Sequence, residues 1–275
     1  MKKHLLGSVA LPALLAGPAM AADLPLKAAP PPPAVFSWTG FYAGLNAGGA
    51  WGRSDATTSI SCGPVPGFLF NYICGAGFGQ VEANVVNTAG IGSMSGSGFT
   101  GGGQIGYNLQ NNNWVYGVEI DAESFHLRAS RQGMAGIPGF YAAAITSSVS
   151  TDWLMTARGR VGWAHENLLA YVTGGVAATN LQASHTYLDN AAPTGVTAAW
   201  SGSATKLGWT VGGGLEYALS RNWSVKAEYL FVKFGSVSAS GIISTGPRAP
   251  GYANAISTST DLTAQIARGG FNYRF

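Results

Sequence analysis

No stretch of this chain is long and apolar enough for a membrane-spanning helix. The longest apolar run, Leu5 to Ala16, is about a dozen residues where roughly 20 are needed. Every later run is broken by glycine, serine or a charge within a few residues. Charge is scarce as well: charged residues make up 10% of the chain, against a usual quarter or so. With Lys2 and Lys3 set aside, 15 − 2 = 13 basic side chains face 12 acidic ones. That near-neutral balance excludes the basic patch a nucleic-acid binder needs. There are only two cysteines, Cys62 and Cys74. They sit in one connecting segment, with no histidine near enough to complete a metal site.

Glycine and the aromatics are abundant. The 40 glycines far exceed the usual level of about 7%, yet the plentiful Trp, Tyr and Phe exclude a low-complexity chain. The N-terminus has the form of an export signal. Lys2 and Lys3 precede the short apolar run, a helix-breaking Gly17-Pro18 follows, and Ala19-Met20-Ala21 has the small-x-small pattern cut by signal peptidase. Residues 1–21 are therefore expected to be a signal peptide. In an exported chain Cys62 and Cys74 can form a disulfide that persists; two free thiols are the alternative. Residues 22–35 end in Pro30-Pro31-Pro32-Pro33. A proline run makes no ladder bonds and favours an extended helix, so this segment reads as a periplasmic spacer.

The remaining chain, 36–275, alternates with period two, which in a strand sends successive side chains to opposite faces. At the C-terminus Phe271, Tyr273 and Phe275 share one face and Arg268, Asn272 and Arg274 the other. Eight such segments follow one another, over 38–53, 98–110, 113–128, 150–164, 167–183, 204–220, 222–238 and 260–275. Tight turns at 111–112, 165–166 and 221–222 alternate with long connections over 54–97, 129–149, 184–203 and 239–259. In the third segment Trp114, Tyr116, Val118 and Ile120 oppose Glu119, Asp121 and Glu123. In the fourth, Trp153, Met155, Ala157, Val161 and Trp163 oppose Arg158 and Arg160. In the sixth and seventh, Leu207, Trp209, Val211, Trp223 and Tyr229 oppose Lys206, Glu216, Lys226 and Glu228. A charge on a lipid-facing position near the midplane costs about 2 to 4 kcal/mol, so this sorting predicts an eight-stranded antiparallel up-and-down transmembrane β-barrel. Such a barrel satisfies its backbone without help from lipid. Trp114, Trp163, Trp223 and Tyr273 fit an interfacial girdle.

Eight strands leave a lumen for side chains and no wide channel. Glu119, Asp121, Glu123, Glu216 and Glu228 are thus expected to meet Arg158, Arg160, Lys206, Lys226, Arg268 and Arg274 as a salt-bridged plug. A narrow ion path lined by the same charges is the alternative. Gly101-x-Gly103-x-x-Gly106 matches a dinucleotide fingerprint as a string, but it lies within a strand and opens no helix, so no nucleotide cofactor is implied. Ser124, His126 and Glu123 suggest a hydrolytic set, yet alternation puts Glu123 on the face opposite the other two. His185 and His165 have no second metal ligand in register. Phe68, Phe70, Tyr72, Phe140, Tyr141, Trp200 and Tyr252 fall in the long connections, either as a contact surface or folded back on the rim.

Taken together, several stretches resemble a known family. They are Trp38-Thr39-Gly40-Phe41-Tyr42-Ala43-Gly44, Gly101 to Asn108, Gly117-Val118-Glu119, Arg158-Gly159-Arg160, Tyr171 to Ala177, Lys226-Ala227-Glu228-Tyr229 and Asn272-Tyr273-Arg274-Phe275. The chain is similar to the alpha-proteobacterial outer-membrane barrels of RopB-like, opacity-type and OmpA-like kind, in the porin-family grouping. The resemblance implies an integral protein of the cell outer membrane with loops outside and both termini in the periplasm. It implies a structural and surface-interaction role without catalysis or cofactor. A small-solute pore is the first alternative and a lipid A-modifying enzyme the second. Expected partners are outer-membrane lipid, lipopolysaccharide and the assembly machinery, for which Phe271, Tyr273 and Phe275 resemble the recognition signal.

Overall fold

The computed structural model describes residues 36–75, 79–190, 195–245 and 251–275; the expected signal peptide and proline spacer lie outside the described residues. Eight strands follow in chain order: β1 (Gly40–Ser61), β2 (Gly92–Asn111), β3 (Trp114–Ile137), β4 (Tyr141–His165), β5 (Leu168–Asp189), β6 (Thr197–Ala218), β7 (Trp223–Ser244) and β8 (Ala253–Arg274). Each pairs antiparallel with its neighbours and β8 returns to β1, closing the barrel. One helix, α1 (Gly79–Gly90), lies between β1 and β2.

The strands are 20 to 25 residues long, about twice the 9–11 a tilted strand needs to cross a bilayer. Three of the four long connections expected from the sequence are consequently mostly strand. Between β3 and β4 only residues 138–140 remain outside strands, turning on Gly139 at φ 74°. Those between β5 and β6 and between β7 and β8 shrink to 190–196 and 245–252. At the other end the tight turns stand where alternation places them, with Asn112 and Glu166 in the left-handed conformation.

The extra length follows from an inversion of polarity along the barrel axis. Near the tight turns the outward residues are apolar: Phe41 to Trp51 on alternate positions of β1, Trp114 to Ile120 on β3, Leu207 to Tyr217 on β6. Paired rings rim this band, Trp114 with Trp163 at 5.2 Å and Trp223 with Tyr273 at 5.0 Å between centroids. Beyond about eleven residues the outward positions turn polar together, to Arg53, Ser97, Arg128, Asp152, Gln182, Ser203 and Lys233. There the inward positions turn apolar. Phe125, Leu127, Leu154, Leu181, Leu230, Phe234, Leu262 and Ile266 form one buried cluster. Ile60, Ile145, Tyr187, Trp200, Ile243 and Ile256 form another nearer the mouth. The membrane half is thus apolar outside and polar inside, and the outer half is the reverse. Ten to twelve further residues per strand, at about 3.4 Å each and tilted about 40°, lift the mouth about 25–30 Å above the apolar band.

Two strands shift register at the inversion, between Ser150 and Leu154 on β4 and between Phe234 and Val237 on β7. On β4 inward positions change from even (Leu154, Thr156, Arg158) to odd (Ser147, Val149, Thr151). A bulge inserts the extra residue that keeps the right set facing inward.

The helix closes the mouth. Ala83, Val86 and Ala89 recur at helical spacing and are its buried stripe, joined to the mouth-side cluster. The backbone N–H of Ile60 donates to Asn87 Oδ1 at 2.9 Å, and Gly90 lies so close against Thr58 that no Cβ would fit. Cys62 and Cys74 are joined by a disulfide with Cα atoms 5.4 Å apart. Asn254, fully buried, ties that bridge to β8. Its Nδ2 donates to Ser61 O and to Cys74 Sγ, and its Oδ1 accepts from the Ile73 N–H at 2.6 Å.

In lipid vesicles, single cysteines replacing Leu45 or Val118 should resist a membrane-impermeant maleimide, while those replacing Ser184 or Ser203 should react readily. Equal reactivity at Val118 and Ser184 would show that the apolar band has been misplaced.

Candidate functional site

The membrane half of the lumen holds the chain's main concentration of chemistry. Glu119, Asp121 and Glu123 project inward at alternate positions of β3; Arg158 and Arg160 do so on β4, Lys226 and Glu228 on β7, and Arg268 on β8. Arg158 is central. Its guanidinium pairs with Glu119, with Asp121 at 2.9 Å and with Glu228 at 3.0 Å, while Nε donates to Thr156 Oγ1 at 3.0 Å. Arg268 reaches Asp121 at 3.0 Å, Glu228 at 2.6 Å and Glu123. Lys226 Nζ lies 3.0 Å from Glu119, and Arg160 lies 3.1 Å from Glu216. Five carboxylates thus meet four cations.

Neutral groups complete the network. The Tyr42 hydroxyl donates to Glu119 at 2.8 Å and that of Tyr171 to Glu228 at 3.0 Å, and both rings flank the Arg160 guanidinium. Asn108 accepts from Arg160 Nε; Asn272 and Ser224 donate to Glu216. Gln104 and Asn46 extend the chain of bonds to β1 and β2. Sequence reasoning left out most of these. Their parity, shared with the charges, was the available signal, but Tyr42 and Tyr171 are aromatic and aromatics suggest lipid.

Two expected members stand apart. Lys206 lies above the network, half-buried, and takes part in no ion pair among the described residues. It points inward as alternation requires, but too far along β6 to reach a carboxylate. Arg274 faces inward at the turn end, where its guanidinium stacks on Phe36 at 4.3 Å and Trp38 at 4.9 Å and donates to Ser37 O. Trp38 is not the first strand residue that its alternation suggested. It turns into the lumen, fully buried among Val115, Ala164, Leu169 and Tyr171, and stops that mouth.

The other candidates are dispersed. Ser124 Oγ and His126 Nδ1 lie 3.0 Å apart on the outer wall, exposed, with Glu123 buried on the opposite face. Gly101, Gly103 and Gly106 lie within β2. His185 is buried on β5, its Nδ1 2.9 Å from Ser147 Oγ, and His165 ends β4. Among the described residues no histidine, cysteine, aspartate and glutamate cluster suits a metal ion. Tyr141 and Trp200, expected in loops, are buried inside the barrel because the strands run through them. Phe70 stacks on Tyr252 at 5.0 Å and both are exposed at the mouth, as is Phe140. Tyr72 instead folds inward to donate to Asp189 at 2.8 Å; burial and that carboxylate push its phenol pKa up. Phe271 and Phe275 face outward at the closing end of β8, and Tyr273 between them packs on Trp223 and Phe275.

Removing one partner from a buried network strands the others. Arg158→Met should lower unfolding free energy in detergent or lipid by about 3 to 5 kcal/mol, whereas Lys206→Met should change it by no more than about 0.5 kcal/mol. Urea titration of both variants checks this, and equal effects would remove Arg158 from the centre.

A barrel with lipid-compatible walls and an ion-filled lumen agrees with the comparisons. The family model described as "Outer membrane protein beta-barrel domain" matches residues 9–275. The 31 kDa outer-membrane immunogenic protein of Brucella melitensis is 35% identical over 242 residues, covering 86% of this chain and 88% of the relative. The 22 kDa outer membrane protein of Rhizobium leguminosarum is 30% identical over 137 residues, 49% of this chain and 53% of the relative. Among solved structures, the outer membrane protease OmpT of Escherichia coli is similar at 9% identity, covering 87% and 98% of the two chains, with a TM-score of 0.41. The chain belongs to the outer membrane protein β-barrel family.

Proposed function

We propose that this outer-membrane barrel is a non-conducting, non-catalytic envelope protein whose outer half presents a rigid surface for recognition. The observation that carries the reading is the filling of the lumen over its whole height. Trp38 stops one mouth, the ion network fills the membrane half, two apolar clusters fill the outer half, and α1 lies across the other mouth. A solute path would have to break each in turn. Hydrated ions gain nothing from the apolar clusters, so charges deeper in the lumen do not make a selectivity filter.

The placement of Ser124 and His126 supports the absence of catalysis. Both face outward, and among the described residues no carboxylate hydrogen-bonds the imidazole; Asp152, on the same wall, accepts from Asn180 and Gln182 instead. For orientation, the short turns and both ends of the described barrel share one side, which suits the periplasm, and the disulfide-bridged mouth suits the exterior. The relatives' printed name, immunogenic, fits a mouth displayed above the lipid. Outer-membrane lipid and lipopolysaccharide would surround the band and the polar wall above it. The outward Phe271 and Phe275 offer an apolar terminal strand to the assembly machinery.

In planar bilayers the purified protein should give no steady conductance, and a variant lacking α1 should stay silent because the ion network remains. Reproducible channels abolished by changing Arg158 or Glu228 would establish the pore instead. Deleting Phe275 should reduce the amount of inserted, heat-modifiable protein in cells; unchanged amounts would count against the terminal aromatic as an assembly signal.

A further inference from the structure

The mouth of the barrel carries a stapled apolar tip. Between β1 and α1 the chain turns at Val65-Pro66-Gly67-Phe68, inside the loop that the Cys62–Cys74 disulfide closes. The Phe68 N–H donates to Val65 O at 3.0 Å and Gly67 has φ 86°, the Pro-Gly form of a type II turn. Beyond the turn, the N–H groups of Leu69 and Phe70 both donate to Gly251 O, at 2.9 and 2.8 Å, and Phe70 O accepts from the Ala253 N–H. Asn71 donates to Cys62 O and accepts from Asn254. The apolar side chains project away from these anchors. Leu69 is 82% exposed and Phe70 57%, and a Cβ at Gly67 would meet nothing within 4 Å.

Three properties of this tip meet what hydrocarbon demands of anything that enters it. The first is charge. Residues 62–75 contain none. Among the described residues, the fully exposed Asp, Glu, Lys and Arg side chains lie near the edge of the apolar band, as Arg53 and Lys233 do, or at the tight turns, as Glu166 and Arg221 do. At the mouth Glu82 and Arg131 are half-buried and Asp189 is buried. The second is the backbone. Pro66 has no N–H, and those of residues 68, 69 and 70 are satisfied by the protein itself, so they can leave water without being orphaned. The third is stiffness: disulfide, turn and backbone pins hold Leu69 and Phe70 outward, so docking orders little further chain. A protein partner asks for something else, a polar rim around an apolar core. The mouth also stands about 25–30 Å above the protein's own apolar band, so the bilayer it can meet is a different one.

We propose that Leu69 and Phe70 are a docking tip that inserts into the near leaflet of a lipid bilayer facing the cell. The two side chains enter the acyl boundary. Tyr252, its ring 5.0 Å from that of Phe70, lies at headgroup level, where an aromatic body and a hydroxyl are both accommodated. With no charge at the tip, attachment depends on apolar area and not on the sign of the headgroups. One tip holds weakly, and many copies on one surface hold by avidity. This rests on the reading of the outer half as a recognition surface and names the partner as a lipid surface; the closed lumen is untouched.

The test uses the full-length protein in fluorescent proteoliposomes, where many copies act together, and a protein-free supported bilayer of phosphatidylcholine as the target. Attachment is expected, reduced at least about tenfold in Leu69→Ser/Phe70→Ser, with heat-modifiability showing that the barrel is intact. Leu69→Trp should attach as well as the parent, because hydrocarbon selects area and not shape. A fluorophore on Leu69→Cys should be quenched by nitroxide-labelled lipid placed only in the target. Absent attachment, attachment unchanged in the double serine variant, or an unquenched fluorophore would overturn the proposal. So would attachment only to targets that themselves carry the protein, because the partner would then be a second copy. On whole cells Leu69→Cys should react with an impermeant maleimide. Reaction without attachment sinks the docking tip alone, whereas no reaction sinks the display of the mouth as well.

Discussion

Hydrocarbon offers no hydrogen-bond partner to a peptide group, and this constraint organises the molecule. Across the apolar band all eight ladders are present and the sheet closes between β1 and β8. Closure at eight strands fixes a lumen about as wide as its own side chains. Every inward residue in the band then has to be satisfied by other inward residues. Arg158 illustrates the outcome: its guanidinium has acceptors from β3 and β7, and a hydroxyl neighbour on its own strand. Such a network has a modest net stability, since desolvation offsets most of the Coulomb attraction. Its stronger effect is on register. Sliding one strand by a residue would turn its charges into lipid, at about 2 to 4 kcal/mol each, and orphan their partners.

Above the band the constraint relaxes and the same sheet obeys a different solvent. Water outside favours Ser184, Ser201 and Ser203 on the wall, and the apolar interior draws in Leu181, Leu230 and Ile266. The bulges on β4 and β7 change the parity of those two strands, while the other six invert their polarity at one parity throughout. Without that shift on β4, Val149 and Ile145 would face water and Ser148 and Ser150 would lie in the core.

The same inversion decides what was legible in the sequence. In the membrane half, aromatic or branched side chains alternate with charges, as in Val118-Glu119-Ile120-Asp121, so strand, face and plug residues are read directly from parity. In the outer half the alternation is between serine or threonine and alanine or valine, as in Ala143-Ala144-Ile145-Thr146-Ser147-Ser148-Val149. The contrast is weak and its sense is reversed, so composition suggests loops where strands continue. Trp200 and Tyr141 accordingly read as loop residues, on a contact surface or folded back on the rim, where the structure buries them inside the barrel. The helix was hidden for a related reason: its apolar stripe is Ala83, Val86 and Ala89, short side chains whose burial depends on the mouth they cover. Lys206 points inward, but alternation fixes a face and says nothing of height, so parity alone could not separate it from Arg160.

Placing the charges in the membrane half also suits the route the chain must take. A strand apolar on both faces over eleven residues would approach a continuous hydrophobic segment, prone to stick and to aggregate while unpaired. Alternation with Glu, Asp, Arg and Lys on β3, β4, β6, β7 and β8, and with glycine and uncharged polar residues such as Asn46, Gln104 and Thr173 on β1, β2 and β5, breaks up each crossing segment, and the charges lose water only when the barrel closes and their partners arrive together. The outer half needs no such device, because its wall residues are already polar and its apolar residues are hidden on the inward face. The ion network is therefore a cost accepted inside the bilayer so that the strands that carry it can reach that bilayer. The apolar core above the bilayer does what cores do in water: it fixes the height and stiffness of the wall that the cell presents.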